Sequence, residues 1–220
     1  MTLQTKKQML LSGILYGSAY PYFLDLPTGI LAWCALVPML LAMRDASTFK
    51  IFFLRTYPVV FISTYILGAF VFSFSSIAYA LAGFSQTIFT FLPLVFHYFI
   101  QKKLGWQRAM LFLPAVWTVG DWLHHLTPHS FQVSSIAYTQ TTVLWFAQCA
   151  DVLGMWGITF WVILVNVSIA LAIDKQNFPK VTNFWKVENV LPPSVFLLKN
   201  GHFKVFYSLV SPFYTPFGQI

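Results

Sequence analysis

Charge is what this sequence has least of. Only 9% of its 220 residues are Asp, Glu, Lys or Arg, against roughly 25% in a typical soluble domain. So few charges do not cover a water-facing surface of this size, and a soluble globular protein is excluded. Acids are scarcer still: six in all, with Glu188 the single glutamate. That leaves little for paired-carboxylate chemistry. Cysteine occurs twice, as Cys34 and Cys149. Neither has a Cys or His at metal-ligand spacing, and both read as buried, inert thiols in apolar surroundings. A Gly-rich phosphate loop, a Gly-x-Ser-x-Gly elbow and a His-Glu-x-x-His motif are all missing. Nucleotide hydrolysis, serine hydrolysis and zinc proteolysis therefore have no foothold, and no cofactor is implied.

What fills the chain instead is hydrocarbon: 58% hydrophobic and 19% aromatic residues. The class is a polytopic membrane protein. Six apolar stretches read as spanning helices: residues 9–23, 28–43, 57–78, 87–100, 109–123 and 152–173. Pro21, Asp25 and Pro27 force a turn after the first, and Pro38 lies inside the second. The long uncharged run 56–101 breaks best at Gly83-Phe84-Ser85-Gln86, its most polar point. Ser73, Ser75 and Ser76 then give the third helix a polar face. The fold class is all-α, a transmembrane bundle of about six spans over residues 1–174. Residues 175–220 form a Pro-rich irregular tail, cytoplasmic or interfacial, or the remnant of a further span.

The amino terminus imitates a signal peptide, with Lys6-Lys7 before an apolar run, but no small-x-small cleavage site follows. Leu31-Ala32-Trp33-Cys34 has the outline of a lipoprotein processing box with Trp33 where a small residue is required. Both read as membrane helix.

The net charge of +7 tests the topology. All thirteen Lys and Arg fall between alternate spans: Lys6 and Lys7; Arg44, Lys50 and Arg55; Lys102, Lys103 and Arg108; then Lys175 onward. Asp25, Asp121 and Asp151 fall on the other side. Lys and Arg mark the cytoplasmic side, so both termini are cytoplasmic. The basic excess is topological and implies no nucleic-acid partner.

A few residues stand out against this background. His124, His125 and His129 cluster after Trp122, but Pro128 interrupts the pair that helical spacing would bring together, so an interfacial turn is favoured over a metal site. Asp121 and Asp151 sit at the outer ends of the last two spans without a nucleophile beside them. Asn166 lies mid-span in Val165-Asn166-Val167-Ser168, a glycosylation sequon in an unreachable place. An inward-facing Asn that bonds a neighbouring helix is the default, and a substrate contact the sharper alternative.

The order of certain motifs resembles the apolipoprotein N-acyltransferases of bacteria. Ala19-Tyr20-Pro21-Tyr22-Phe23 through Asp25 looks like the turn of that family's first helix hairpin. Ala35-Leu36-Val37-Pro38-Met39-Leu40-Leu41-Ala42 looks like the second helix. Trp117, Asp121-Trp122 and Tyr138-Thr139-Gln140 are similar to later motifs. So are Gln148-Cys149-Ala150-Asp151, Gly154-Met155-Trp156-Gly157 and Leu164-Val165-Asn166. The resemblance covers about residues 9–174. Two departures stand inside it: Asp121 replaces a usual Glu, and Ser130-Phe131-Gln132 stands where Phe-Pro-Trp is usual.

The family moves an acyl chain from a phospholipid to the amino group of a lipoprotein in the bacterial inner membrane. Its Glu-Lys-Cys triad lies in a nitrilase-like domain after a seventh helix, which residues 1–220 do not reach. The resemblance therefore implies the membrane domain of such an enzyme, truncated or split, with no catalytic residue and no metal ligand of its own. Its implied partners are membrane phospholipid, a lipoprotein and a separate nitrilase-like subunit. Asp121, Trp122, Gln140, Gln148 and Asn166 are its candidate lipid or structural polar contacts. A small transporter, or a non-catalytic membrane partner, is the alternative; the transporter predicts charged residues in helix interiors, where this chain holds mostly Ser, Thr and Asn166.

Overall fold

A computed structural model describes residues 3–21, 28–127 and 134–177. The described residues are all helix and turn. Asp25, His129, Ser130-Phe131-Gln132 and the tail beyond 177 lie outside them.

The elements in order are α1 (Leu3–Ser18), a 3-10 segment (Thr28–Trp33), α2 (Val37–Met43), α3 (Phe49–Leu67), α4 (Ala69–Phe72) and α5 (Ser76–Leu104). Then come α6 (Trp106–Met110), α7 (Leu113–His125), a second 3-10 segment (Ile136–Thr142), α8 (Leu144–Ala147) and α9 (Ala150–Asn177). Three helical stretches are long and apolar enough to cross a membrane: Phe49–Leu67, Ser76–Leu104 and Ala150–Asp174, of 19, 29 and 25 residues. At about 1.5 Å per residue, α5 is roughly 44 Å long. That exceeds the roughly 30 Å hydrocarbon core, so the helix is long enough to carry its Lys102 and Lys103 end beyond such a core. Along α5, Ile77, Leu81, Phe84, Ile88, Leu92, Phe96 and Phe99 are all exposed. Their three- and four-residue spacing makes one apolar stripe, a surface for lipid rather than water.

The second of the predicted spans lies at the centre. The apolar stretch Thr28–Met43 is a broken helix, with 3-10 geometry before residues 34–36 and α-helix after them. Pro38 is in the first turn of α2, where its missing N–H costs nothing, and not in a helix interior. Met39, Leu40 and Met43 are completely buried, as are Phe52, Leu94, Met110, Leu113 and Ile163 from the surrounding helices.

A short buried helix leaves backbone groups without internal partners. Four surrounding elements each supply one. Ser12 Oγ of α1 donates to Ala35 O at 2.5 Å. Arg55 Nη1 of α3 donates to Ala42 O at 2.8 Å. Gln101 Nε2 of α5 and Trp106 Nε1 of α6 donate, both at 3.1 Å, to Met43 O and Leu40 O.

α1 lies along α3. Gly13 and Gly17 set the distance: a Cβ on Gly17 would stand 2.7 Å from Ile66 Cβ. Small residues four apart allow this approach in membranes.

Several expected boundaries move. The break predicted at residues 83–86 is inside α5, and the true turn is at 73–75. Ser75 caps α5, its Oγ accepting from Ala78 N at 3.2 Å, which satisfies an orphan donor. Ser73, Ser75 and Ser76 thus make a turn and cap, not a polar helix face. Gly83 is instead a contact point, with Tyr65 ring carbons 2.8 Å from where its Cβ would be. Lys50 and Arg55, expected in a loop, belong to α3, and Lys102 and Lys103 close the last turn of α5. There they oppose the negative helix end. Gly105 (φ 77°) stops α5, and Gly154 (φ 65°) kinks the start of α9. Cys34 is exposed rather than buried, and Cys149 is partly buried.

Candidate functional site

Two polar assemblies stand out, and the residues singled out from sequence divide between them. The first holds the broken helix. Asn166, buried in α9, accepts from Leu36 N at 2.9 Å through Oδ1. Its Nδ2 donates to Ala32 O at 2.7 Å and to Val162 O at 2.9 Å. Gln140, buried in the second 3-10 segment, accepts from Trp33 Nε1 at 3.0 Å. It donates to Gly29 O at 2.9 Å and to Thr139 Oγ1 at 2.8 Å. A Cβ on Gly29 would strike the Thr139 carbonyl, so only glycine lets the two 3-10 segments touch here. Trp33 also meets the edge of Phe146, ring centroids 4.7 Å apart. Both amides spend all their bonding groups on backbone or neighbouring side chains, which is structural work.

The second assembly is at the carboxy-terminal end of α7. Asp121 is half-buried, and Ser135 Oγ donates to its Oδ2 at 2.8 Å. Ser135 Oγ also lies 3.2 Å from Thr159 Oγ1. A hydroxyl has one proton to give; Ser135 gives its own to Asp121, and Thr159 is a second hydroxyl partner of the same carboxylate. Beside them Tyr20 donates to Ser134 O at 2.6 Å and contacts Tyr16 OH at 3.3 Å. Trp117, fully buried, meets the ring of Tyr16 edge-on. Three helices and a loop thus converge on one carboxylate.

The remaining expected residues are not drawn in. Trp122 is exposed, as are Gln148 and Asp151. Asp151 stands in the first turn of α9, a favourable place for an anion, and Asp121 takes Ser135 as its bonded partner. His124 is buried and stacks on Phe89, and His125 meets Trp156 edge-on at 4.7 Å. Among the described residues no group of three His, Cys, Asp or Glu side chains converges.

Sequence reasoning missed a third feature at the opposite end. Asp174 is buried in α9, bound by Arg44 Nη1 at 2.5 Å and by Gln107 Nε2 at 2.8 Å. Its signal was available: one acid closes a charge-free run on the side where every basic residue gathers. Ser135 and Thr159 carried no signal, since isolated hydroxyls are common in membrane helices.

Residues 12–168 match the family described as the apolipoprotein N-acyltransferase N-terminal domain. A protein of Chlorobaculum tepidum named apolipoprotein N-acyltransferase is 33% identical over 170 residues, covering 77% of this chain and 32% of the relative. The chain thus spans about a third of that relative's length. No solved structure matches.

Proposed function

The chain belongs to the apolipoprotein N-acyltransferase family through its amino-terminal domain, and from that membership we propose that it is the membrane domain of a phospholipid-to-lipoprotein acyl-transfer system. The match over residues 12–168 carries the reading. It holds phospholipid and lipoprotein beside a nitrilase-like catalytic domain that supplies base, lysine and nucleophilic cysteine. The Asp121–Ser135–Thr159 assembly faces that domain and the polar parts of the substrates.

Six spans in the bacterial inner membrane, with both termini cytoplasmic, are part of the proposal. The three long apolar helices account for half of them. The segment Thr28–Met43, α1 and α6–α7 complete the set as short or broken spans. The one-sided placement of the thirteen basic residues supports the orientation.

The test is reconstitution. The chain is co-expressed with an extracytoplasmic nitrilase-like domain in membranes lacking endogenous N-acyltransferase. Mass spectrometry then follows N-acylation of a diacylated lipopeptide. Product is expected from the pair and not from either part. A pair that stays silent while the whole Chlorobaculum tepidum relative acylates the same lipopeptide overturns the proposal. Product from this chain alone, lost in Cys149→Ser, reveals a different active site and overturns it as well.

A further inference from the structure

Two of the long apolar helices end their exposed apolar rows in a lysine. Along α3, Leu54 and Phe61 are exposed, and Lys50, four residues before Leu54, is exposed with them. Along α5, the exposed stripe from Ile77 to Phe99 runs on by four residues to Lys103, exposed as well. Residues four apart share a helix face. Each lysine therefore closes a row of side chains that meets lipid.

The fold brings the two row ends together. α3 and α5 are antiparallel neighbours, with the Tyr98 ring 5.3 Å from Phe49 and the Phe91 ring 5.4 Å from Phe53. Lys102 Nζ donates to Ser47 O at 2.6 Å, which ties the end of α5 to the residues just ahead of α3. In both helices the exposed row lies one residue on from the packing row: Lys50 and Leu54 follow Phe49 and Phe53, and Leu92 and Phe99 follow Phe91 and Tyr98. One residue on is the same turn of about 100° in each helix. Because the helices run in opposite directions, that turn carries both rows to the same side.

This end is positive and unneutralised. Among the described residues the ion pairs are those of Arg44 with Asp45 and Asp174, so Lys50 and Lys103 have no acid of their own. The first turn of α3 contains no acid either, and a helix start adds partial positive charge. A ligand for this place needs hydrocarbon to lie along the two rows and net negative charge where they end. A soluble anion lacks the first, and a zwitterionic lipid the second. An acidic protein segment has the charge but brings backbone polar groups that hydrocarbon does not satisfy.

We propose that Lys50 and Lys103 hold the headgroup of an anionic phospholipid at the paired ends of α3 and α5, with its acyl chains along the two exposed rows. This lipid is held and not consumed. The site is separate from the Asp121 assembly and rests on α3 and α5 crossing the membrane, not on acyl transfer.

The experiment is native mass spectrometry of the full chain in neutral detergent, given equal amounts of phosphatidylglycerol and phosphatidylcholine with matched acyl chains. Phosphatidylglycerol adducts are expected in excess. Lys50→Gln and Lys103→Gln are each expected to lower that excess about fivefold, the equivalent of roughly 1 kcal/mol for each lysine. Both side chains are exposed, so unfolding temperatures stay unchanged. Lys50→Arg and Lys103→Arg keep the excess. The exposed pair Lys6 and Lys7 of α1 provides the control: changing both to Gln removes as much charge as changing Lys50 and Lys103, yet leaves the excess in place. Equal adducts of the two lipids on the unaltered chain overturn the proposal. So does an equal loss in the two double variants, which shows net charge alone. Glycerol phosphate that displaces the lipid at matched concentration assigns the site to a soluble phosphate and overturns the choice of lipid.

Discussion

Asn166 completes for Leu36 the hydrogen bond that a continuous second helix would have made internally. In an unbroken helix Leu36 N–H would bond Ala32 C=O. The Asn166 amide stands between them instead, taking the proton of one and giving a proton to the other, at 2.9 and 2.7 Å. A helix can break inside a membrane where a neighbour re-satisfies the freed groups, and this side chain does so for both.

Asn166→Ala therefore leaves a buried donor and a buried acceptor without partners. At about 1–3 kcal/mol for each unsatisfied group, a loss of roughly 2–6 kcal/mol is expected. Thermal unfolding in detergent measures it, with the exposed Ser168→Ala as control. Equal unfolding temperatures for the two variants would refute the role.

Gly17→Leu puts a branched side chain where Ile66 Cβ already stands 2.7 Å from the Cβ position. Overpacking costs about 1–3 kcal/mol, and α1 must move off α3 to relieve it. A cysteine pair across the α1–α3 contact, cross-linked in native membranes, is expected to lose its cross-link in this variant. Gly17→Ala is expected to keep part of it.

Arg44→Ala strips the charged partner from the buried Asp174, leaving it Gln107. Breaking a buried pair costs about 3–5 kcal/mol, and the lower end applies because the Arg44 side chain is 29% exposed. Asp174→Asn in the same chain removes the stranded charge while keeping an acceptor for Gln107. Much of the lost unfolding temperature is then expected to return. A double variant less stable than Arg44→Ala would show that the pair does not act together.

Alkaline phosphatase fused after Phe74 is expected to be active, and fused after Lys103 inactive. The first position is the turn before α5, the second its basic end. Activity at both ends would show that α5 does not cross.

The sequence discloses the class because composition is a property of the whole chain: few charges, long apolar runs and basic residues gathered between alternate runs. It also picks out Asn166 and Gln140, since a lone amide in hydrocarbon must bond something. What it hides is where helices stop. Gly83-Phe84-Ser85-Gln86 looks like a turn because it is small and polar, yet in a bilayer a small residue is as useful for close packing. Tyr65 uses Gly83 in that way, and the real turn falls at Ser75, where a side chain caps the next helix. Arg55 misleads for a similar reason. Its long stem reaches the end of α2 from inside a helix, so its charge marks a depth rather than a loop. Asp121 reads only as an acid at a surface, because Ser135 and Thr159, which complete its assembly, are distant in the chain.

The clasp on the second helix has a consequence in time. Leu36 and Asn166 are separated by 130 positions. Synthesis at about 5–20 residues per second puts the second partner roughly 7–26 s behind the first. For that interval the nascent chain carries a central helix whose break nothing closes. An open break in hydrocarbon costs several kcal/mol per group. The early helices thus wait for the last one, and a chain cut short before Asn166 is left without the side chain that closes the break.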